Sequence, residues 1–398
     1  MKIGVWINDS LVATLGGGAS YPVRLLKLID NYQFDKDVEI CFFSILSFKD
    51  HKKEIINISQ LPHFIYGLLS WSTFFTKCLR RIDNKLVRYL GLKRVLKGSG
   101  IKVVYYIEQT TCLDPHFPSV YSNWDIGHRS TLSFPELTEN GAFDRREKFY
   151  QTILPQALMI ICESETGKKE IMDYTNIGPH KIRVMPLFAG DVSSLKITDE
   201  CIRMTLRKFG IEPLKYFYYP AQFWAHKNHV GLLKAFKKFV TEVDSDCKLV
   251  LSGSNVGGNR EYVESVASKL GLSNQVKFLG FISEEDVYAL YCNATSLVMA
   301  SHFGPTNMPP IEAMELDCPV ACSDLGGHKE ILGDAAAYFN SFDYISICNA
   351  LKEIYNHRDD YKKRIVAQKN KTVFNSDSAI KRLNSILREV VDIRNNWE

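Results

Sequence analysis

Between Ala300 and Asp324 the chain reads ASHFGPTNMPPIEAMELDCPVACSD, a strand-like run that breaks into a turn rich in glycine and proline and resumes as a helix. Proline is tolerated at the first helical positions, whose N–H groups lack partners in any case. A helix is therefore predicted to start near Pro309, with Glu312 in its first turn. A carboxylate there either complements the helix dipole or accepts two hydrogen bonds from a ribose diol. In the second case Gly304, Pro305, Thr306, Asn307 and Met308 line a turn that holds phosphate or sugar oxygens. About 80 residues upstream, AQFWAHKNHVGLLKAF puts Gln222 and Lys227 in a loop ahead of an apolar-periodic helix. A lysine at that point can meet a diphosphate as a point charge, supported by the helix amino end; otherwise it is a solvated loop lysine. In LGGGASYP, Gly16, Gly17 and Gly18 precede a helix-like run. Glycines let backbone N–H groups approach a phosphate closely, although the stretch is neither GxGxxG nor a P-loop. His128, flanked by Asp125 and Arg129 in NWDIGHRSTLSFPEL, stands in a loop after the strand-like SVYSN, where a lone histidine is either structural or part of a catalytic site.

Elements that could position these residues recur along the chain. KIGVWIN, VEICFFSI, KVVYYIE and LMIICES in the first half, and YFYYPAQ, KLVLSGS, QVKFLGF, TSLVMAS and PVACSD in the second, are short apolar runs followed by turns and helical patterns. Such alternation predicts parallel sheets covered by helices. A chain of 398 residues exceeds one ordinary core, so the expectation is α/β with two Rossmann-like, doubly wound domains facing a cleft. Residues 1–195 form the first, 196–375 the second, and 376–398 a helix that packs back on the first. In open parallel sheets ligands bind beyond the carboxyl ends of the strands, where the loops above fall.

Whole-chain properties narrow the partners. A net charge of +4 is too small to imply a nucleic-acid partner. The stretch 64–97 nevertheless concentrates Lys77, Arg80, Arg81, Lys85, Arg88, Lys93, Arg94 and Lys97 among Trp71, Phe74, Phe75 and leucines, a mixture suited either to an anionic membrane surface or to the solvated face of a packed helix. The 10 cysteines show no CxxC pair, no run reaches the length of a membrane span, and Met1 leads directly into a strand-like segment. A cytoplasmic protein is expected, with a place on the inner face of a membrane in the case where the basic stretch 64–97 meets lipid. Asp244 to Asp246 spell DSD but lie ahead of the strand KLVLSGS, away from its carboxyl end, so no metal site is assigned.

FGPTNMPPIEAM, then CPVACSDLGGHKEILGDAAAYF, with YPAQFWAHKNH upstream, resembles glycosyltransferase family 4, the retaining nucleotide-sugar transferases of GT-B fold. The resemblance is strongest from Tyr216 to Phe339. It implies a nucleotide-sugar donor, no metal and no other cofactor, a glycan acceptor that can be lipid-linked, and a role in cell-surface polysaccharide or lipopolysaccharide synthesis. It assigns ribose binding to Glu312, diphosphate binding to Lys227 and a place near the reacting sugar to His128. Two departures stand out. The family's first glutamate falls on Ser301 or His302, and its arginine on Gln222, leaving Lys227 and Arg183 to compensate charge. The rival readings are a nucleotide-sugar epimerase of the same fold and a non-catalytic partner subunit.

Overall fold

The computed structural model describes residues 1–7, 20–44, 52–57, 96, 98–109, 111–255, 259–304 and 306–397. Gly16, Gly17, Gly18, Pro305 and, apart from Leu96, the basic segment 64–97 lie outside the described residues.

Among the described residues, β1 (Lys2–Ile7), β2 (Glu39–Ser44), β3 (Ile55–Asn57), β4 (Ile101–Tyr106), β5 (Ser119–Asn123), β6 (Met159–Cys162) and β7 (Ile182–Val184) form one sheet in the order β3-β2-β1-β4-β5-β6-β7. A second sheet takes β8 (Tyr216–Pro220), β9 (Lys248–Ser252), β10 (Val276–Gly280), β11 (Ser296–Met299), β12 (Val320–Ser323) and β13 (Ala336–Phe339) in the order β10-β9-β8-β11-β12-β13. Neighbouring strands pair in parallel throughout, as in β1 with β4 and β8 with β11. Strands covered by helices on both faces need apolar side chains on both, which is why MIIC and SLVM are buried at every position.

In each sheet the strand order reverses once, between β1 and β4 and between β8 and β11. A reversal sends the flanking helices to opposite faces and opens a crevice at the carboxyl edge. The loop after β8 carries Lys227, and the loop after β11 carries Gly304, Thr306 and Asn307. The topology alone therefore gathers the second-half candidates at one crevice.

The helix Ser376–Asn395 returns to the first sheet. Arg183 Nε donates to Glu389 Oε2 at 2.7 Å, Arg382 Nε to the Val184 carbonyl at 3.0 Å, and the Asp35 N–H to Asn384 Oδ1 at 3.1 Å. Arg183 is thereby committed to this helix and is not available to compensate a diphosphate, contrary to the sequence expectation. Asp244 is also accounted for structurally: the Tyr355 hydroxyl at 2.6 Å and Lys215 Nζ at 3.0 Å hold its carboxyl down to about 2. No helix among the described residues is long and apolar enough to cross a membrane.

Candidate active site

Lys227 is positioned by the turn between β8 and the helix His229–Glu242. The Tyr219 hydroxyl donates to the Lys227 carbonyl at 2.8 Å. Asn228 follows in the left-handed region at φ 56°, a conformation that asparagine tolerates better than most residues. Its Oδ1 caps the helix by accepting from the Gly231 N–H at 3.2 Å, and its Nδ2 donates to the Ser341 carbonyl at 2.7 Å. With the backbone so held, Lys227 Nζ donates to Asn307 Oδ1 at 3.0 Å. Burial disfavours the ammonium and lowers the lysine to about 8.

Asn307 is the residue ahead of the helix Met308–Glu315, yet its side chain makes no capping bond. The reason lies in the next turn: Pro309 and Pro310 have no N–H to offer. The amide is used elsewhere. Its Nδ2 donates to His328 Nε2 at 2.9 Å, while His328 Nδ1 donates to the Ser323 carbonyl at 2.8 Å. A donor on Nδ1 leaves Nε2 as an acceptor, which orients the Asn307 amide so that its oxygen faces Lys227. Burial lowers His328 to about 4, keeping the ring neutral. The segments that follow three strands, β8, β11 and β12, are thus locked into one polar chain, ending in an ammonium at the crevice.

Glu312 departs from expectation in one respect. The helix begins at Met308, so Glu312 is its fifth residue, beyond the first turn, and dipole complementation is not its role. It is 9% exposed. Tyr291 donates its hydroxyl to Glu312 Oε2 at 3.0 Å, and Arg24 Nη1, from the helix Ser20–Asn31 of the first domain, lies 3.6 Å from Glu312 Oε1. Burial raises the carboxyl above its ordinary range, and Arg24 opposes that shift. Gln222 keeps its amide within its own loop, accepting from Trp224 Nε1 at 2.7 Å.

The two domains meet along the same crevice. The Glu136 carboxylate of the first domain accepts from the His226 backbone N–H at 3.0 Å and contacts the His226 ring. Phe303 packs on His226 with ring centroids 4.3 Å apart and on Phe134 at 5.9 Å. A Cβ on Gly127 would come within 2.6 Å of the Phe303 ring, so the close approach requires glycine there. Glu330, on the helix Gly326–Leu332, accepts from the backbone N–H groups of Glu165 and Thr166 at 2.8 and 3.0 Å and from the Thr166 hydroxyl at 3.1 Å. It closes the first turn of a helix in the other domain. Glu330→Ala is expected to weaken this closure by about 1–3 kcal/mol, read as a larger radius of gyration in solution scattering.

A pocket opens between the domains, lined by Ser130, Thr131, Thr166 and Glu170 on one side and by His302, Phe303, Gly304, Leu325 and Gly326 on the other. Burial, then the charges of Asp125 and Asp173, raises the Glu170 carboxyl to about 7. His302 faces this pocket, its Nδ1 3.0 Å from Ser341 Oγ and its ring stacked on Phe342 at 4.4 Å. Ser301 does not: it is fully buried, and its hydroxyl donates to the Phe303 carbonyl at 2.8 Å. Of the two positions in register with the family's first glutamate, only His302 is available to a ligand.

His128 is placed differently from the catalytic position the sequence suggests. Its ring is enclosed in the first domain, 3.1 Å from Glu147 Oε1 and 4.8 Å from the Tyr150 ring centroid. Burial, reinforced by the charge of Arg146, lowers it to about 4. The neighbouring Ser130 and Thr131, not His128, line the pocket. Arg24, Glu136, His328 and Glu330 were not singled out from the sequence. His328 carried a legible signal, standing just past the strand PVACSD at its carboxyl edge. The other three act across domains and left none.

Residues 205–371 match the family described as glycosyl transferases group 1. The chain is 26% identical over 219 residues to O-antigen chain mannosyltransferase B of Escherichia coli, covering 54% of this chain and 57% of that protein. It is 32% identical over 146 residues to O-antigen chain mannosyltransferase RfbU of Salmonella typhimurium, covering 36% and 39%. The chain spans between a quarter and just over half of the length of the first curated relatives it matches. Among solved structures, sucrose-phosphate synthase from Thermosynechococcus elongatus superposes with a TM-score of 0.74 at 17% identity, over 98% of this chain and 99% of that one. Two parallel-sheet domains closing on one crevice, the second matching the group 1 glycosyl transferases, give this chain the GT-B fold of glycosyltransferases.

Proposed function

We propose that the chain is a retaining glycosyltransferase of family 4 type, with the FGPTNxPPxEA-like loop as a subgroup feature. It transfers a sugar from a nucleotide diphosphate sugar to a glycan acceptor in cell-surface polysaccharide synthesis. The observation that carries the reading is the polar chain Lys227–Asn307–His328–Ser323 at the β8/β11 reversal, 3.0, 2.9 and 2.8 Å from link to link. It holds one ammonium where the departing diphosphate accumulates charge, and a preoriented charge needs no reorganisation as the bond breaks. Glu312 clasps the ribose, and the backbone N–H groups of Gly304, Thr306, Asn307 and Met308 take the phosphate oxygens. In the retaining route the acceptor approaches the face from which the diphosphate leaves, and the diphosphate oxygen takes the acceptor proton. The protein then supplies positioning and closure over the pair, not a covalent nucleophile.

The relatives named as O-antigen mannosyltransferases favour a mannosyl donor and a glycan acceptor, which can be carried on lipid at a cytoplasmic membrane face. A thermal-shift screen against GDP-, UDP-, ADP- and TDP-sugars tests the reading, because a ligand that binds only the folded state stabilises it by mass action. One donor should raise the melting temperature and support transfer to a glycan. Stabilisation by none of them would refute the assignment. The reading gives the diphosphate's charge to protein groups, so transfer should persist unchanged in EDTA; abolition by the chelator would contradict that part.

A further inference from the structure

Arg24 is the most unusual cation in the crevice. It is 8% exposed, belongs to the first domain and reaches the second at Glu312. Its distance of 3.6 Å exceeds that of a good charge-assisted hydrogen bond, and the buried Nη1 has no hydrogen-bond partner among the described residues. Buried polar groups nearly always find partners, and a guanidinium cannot escape by losing its proton. An unfilled, charged donor beside Glu312 at the domain crevice has capacity left for an anionic ligand.

The surroundings specify the partner. Arg24 is the fifth residue of the helix Ser20–Asn31, whose amino end follows the glycines 16–18 in sequence. The end of a helix and a cation one turn along it both favour anions. The guanidinium lies against the backbone of Gly190, where an added Cβ would fall 2.2 Å from Nη1. Across the crevice, Lys227 brings one positive charge, and Gln222 in the same loop brings none. A diphosphate with more than one negative charge is under-compensated by that lysine alone. We infer that Arg24 is a second diphosphate-binding cation, supplied by the first domain, which leaves its loose contact with Glu312 for the phosphates when the ribose takes that carboxylate. This deepens the nucleotide-sugar reading and rests on it. It also couples donor binding to domain closure, since ribose and phosphate groups are then gripped from opposite sides of the cleft.

The test is isothermal titration of the full chain with GDP and UDP and with guanosine and uridine, comparing the ratio of nucleoside to diphosphate dissociation constants for the base that binds. In Arg24→Gln this ratio should fall roughly 10- to 100-fold, with Arg24→Lys intermediate. Gly190→Ala supplies an independent arm. Gly190 has φ −72°, which alanine adopts freely, so the substitution only crowds the guanidinium, and the ratio should fall here as well while unfolding by urea stays near wild type. Parallel weakening of nucleoside and diphosphate, with the ratio kept, would show that Arg24 serves only to hold Glu312 and would overturn the inference while leaving the nucleotide reading intact. Wild-type protein that binds neither diphosphate overturns both.

Discussion

Lys227→Ala should lower kcat about 100- to 1,000-fold, the range seen when one preorganised group that stabilises developing charge is removed. Arg24, inferred above to bind from the other domain, is present in wild type and variant alike, and the second domain's own loop offers no substitute. Gln222 in the same loop is neutral and bonded to Trp224, and Arg183 is held by Glu389. Lys227→Arg is not a rescue, since Asn307 Oδ1 at 3.0 Å receives a compact ammonium and a planar fork would not fit that acceptor and the phosphate together. The pH profile gives a second reading of the same residue. Burial lowers Lys227 to about 8 in the ligand-free protein. The ammonium is present below that value and lost above it, so wild-type kcat/KM for the donor should fall as pH rises through about 8. The kcat profile reports the bound enzyme, in which a diphosphate favours the charged lysine, and its alkaline limb should lie higher. Both limbs should vanish in Lys227→Ala. Turnover near wild type in that variant would remove Lys227 from the chemistry.

How far the sequence could reach is explained by the range over which each signal acts. The two parallel sheets were legible because their central strands are local apolar runs such as MIIC or YFYYP, and period and composition are local properties; the short edge strands β3, β7 and β13 were not singled out. The crevice loops were legible because they follow those runs at the carboxyl edge. Side-chain direction was not. Glu312 looked like a first-turn carboxylate until the helix start moved to Met308 and turned it toward Tyr291 and Arg24. His128 looked accessible in a loop, but Phe143, Glu147 and Tyr150 close around it from elements up to 22 residues away in the chain. Arg24 and Glu312 lie 288 positions apart in different domains, and no pattern within either helix announces that they meet.

Glu312→Ala should have the largest combined effect, because it removes an anion that serves two neighbours. Arg24, buried and always charged, would be left without a counter-ion, and the Tyr291 hydroxyl would lose its acceptor. Breaking a buried pair from one side costs about 3–5 kcal/mol, which urea unfolding should register. Nucleoside affinity should fall as well, by roughly 10- to 100-fold for the loss of a carboxylate that accepts from a diol. Glu312→Gln separates these effects: its amide oxygen still serves Tyr291 and recovers that hydrogen bond, while Arg24 stays without a counter-ion and the diol faces a group with half the acceptor capacity and no charge. Acid should mimic the substitution. Burial raises the Glu312 carboxyl above its ordinary value near 4.5, so as pH falls the wild type protonates this group earlier than an exposed glutamate would, and loses nucleoside affinity. The Gln variant has no proton to gain there and should bind with a flat profile over the same range. Equal pH dependence in both proteins would place the ribose clasp elsewhere in the crevice and return Glu312 to a purely structural tie between the domains.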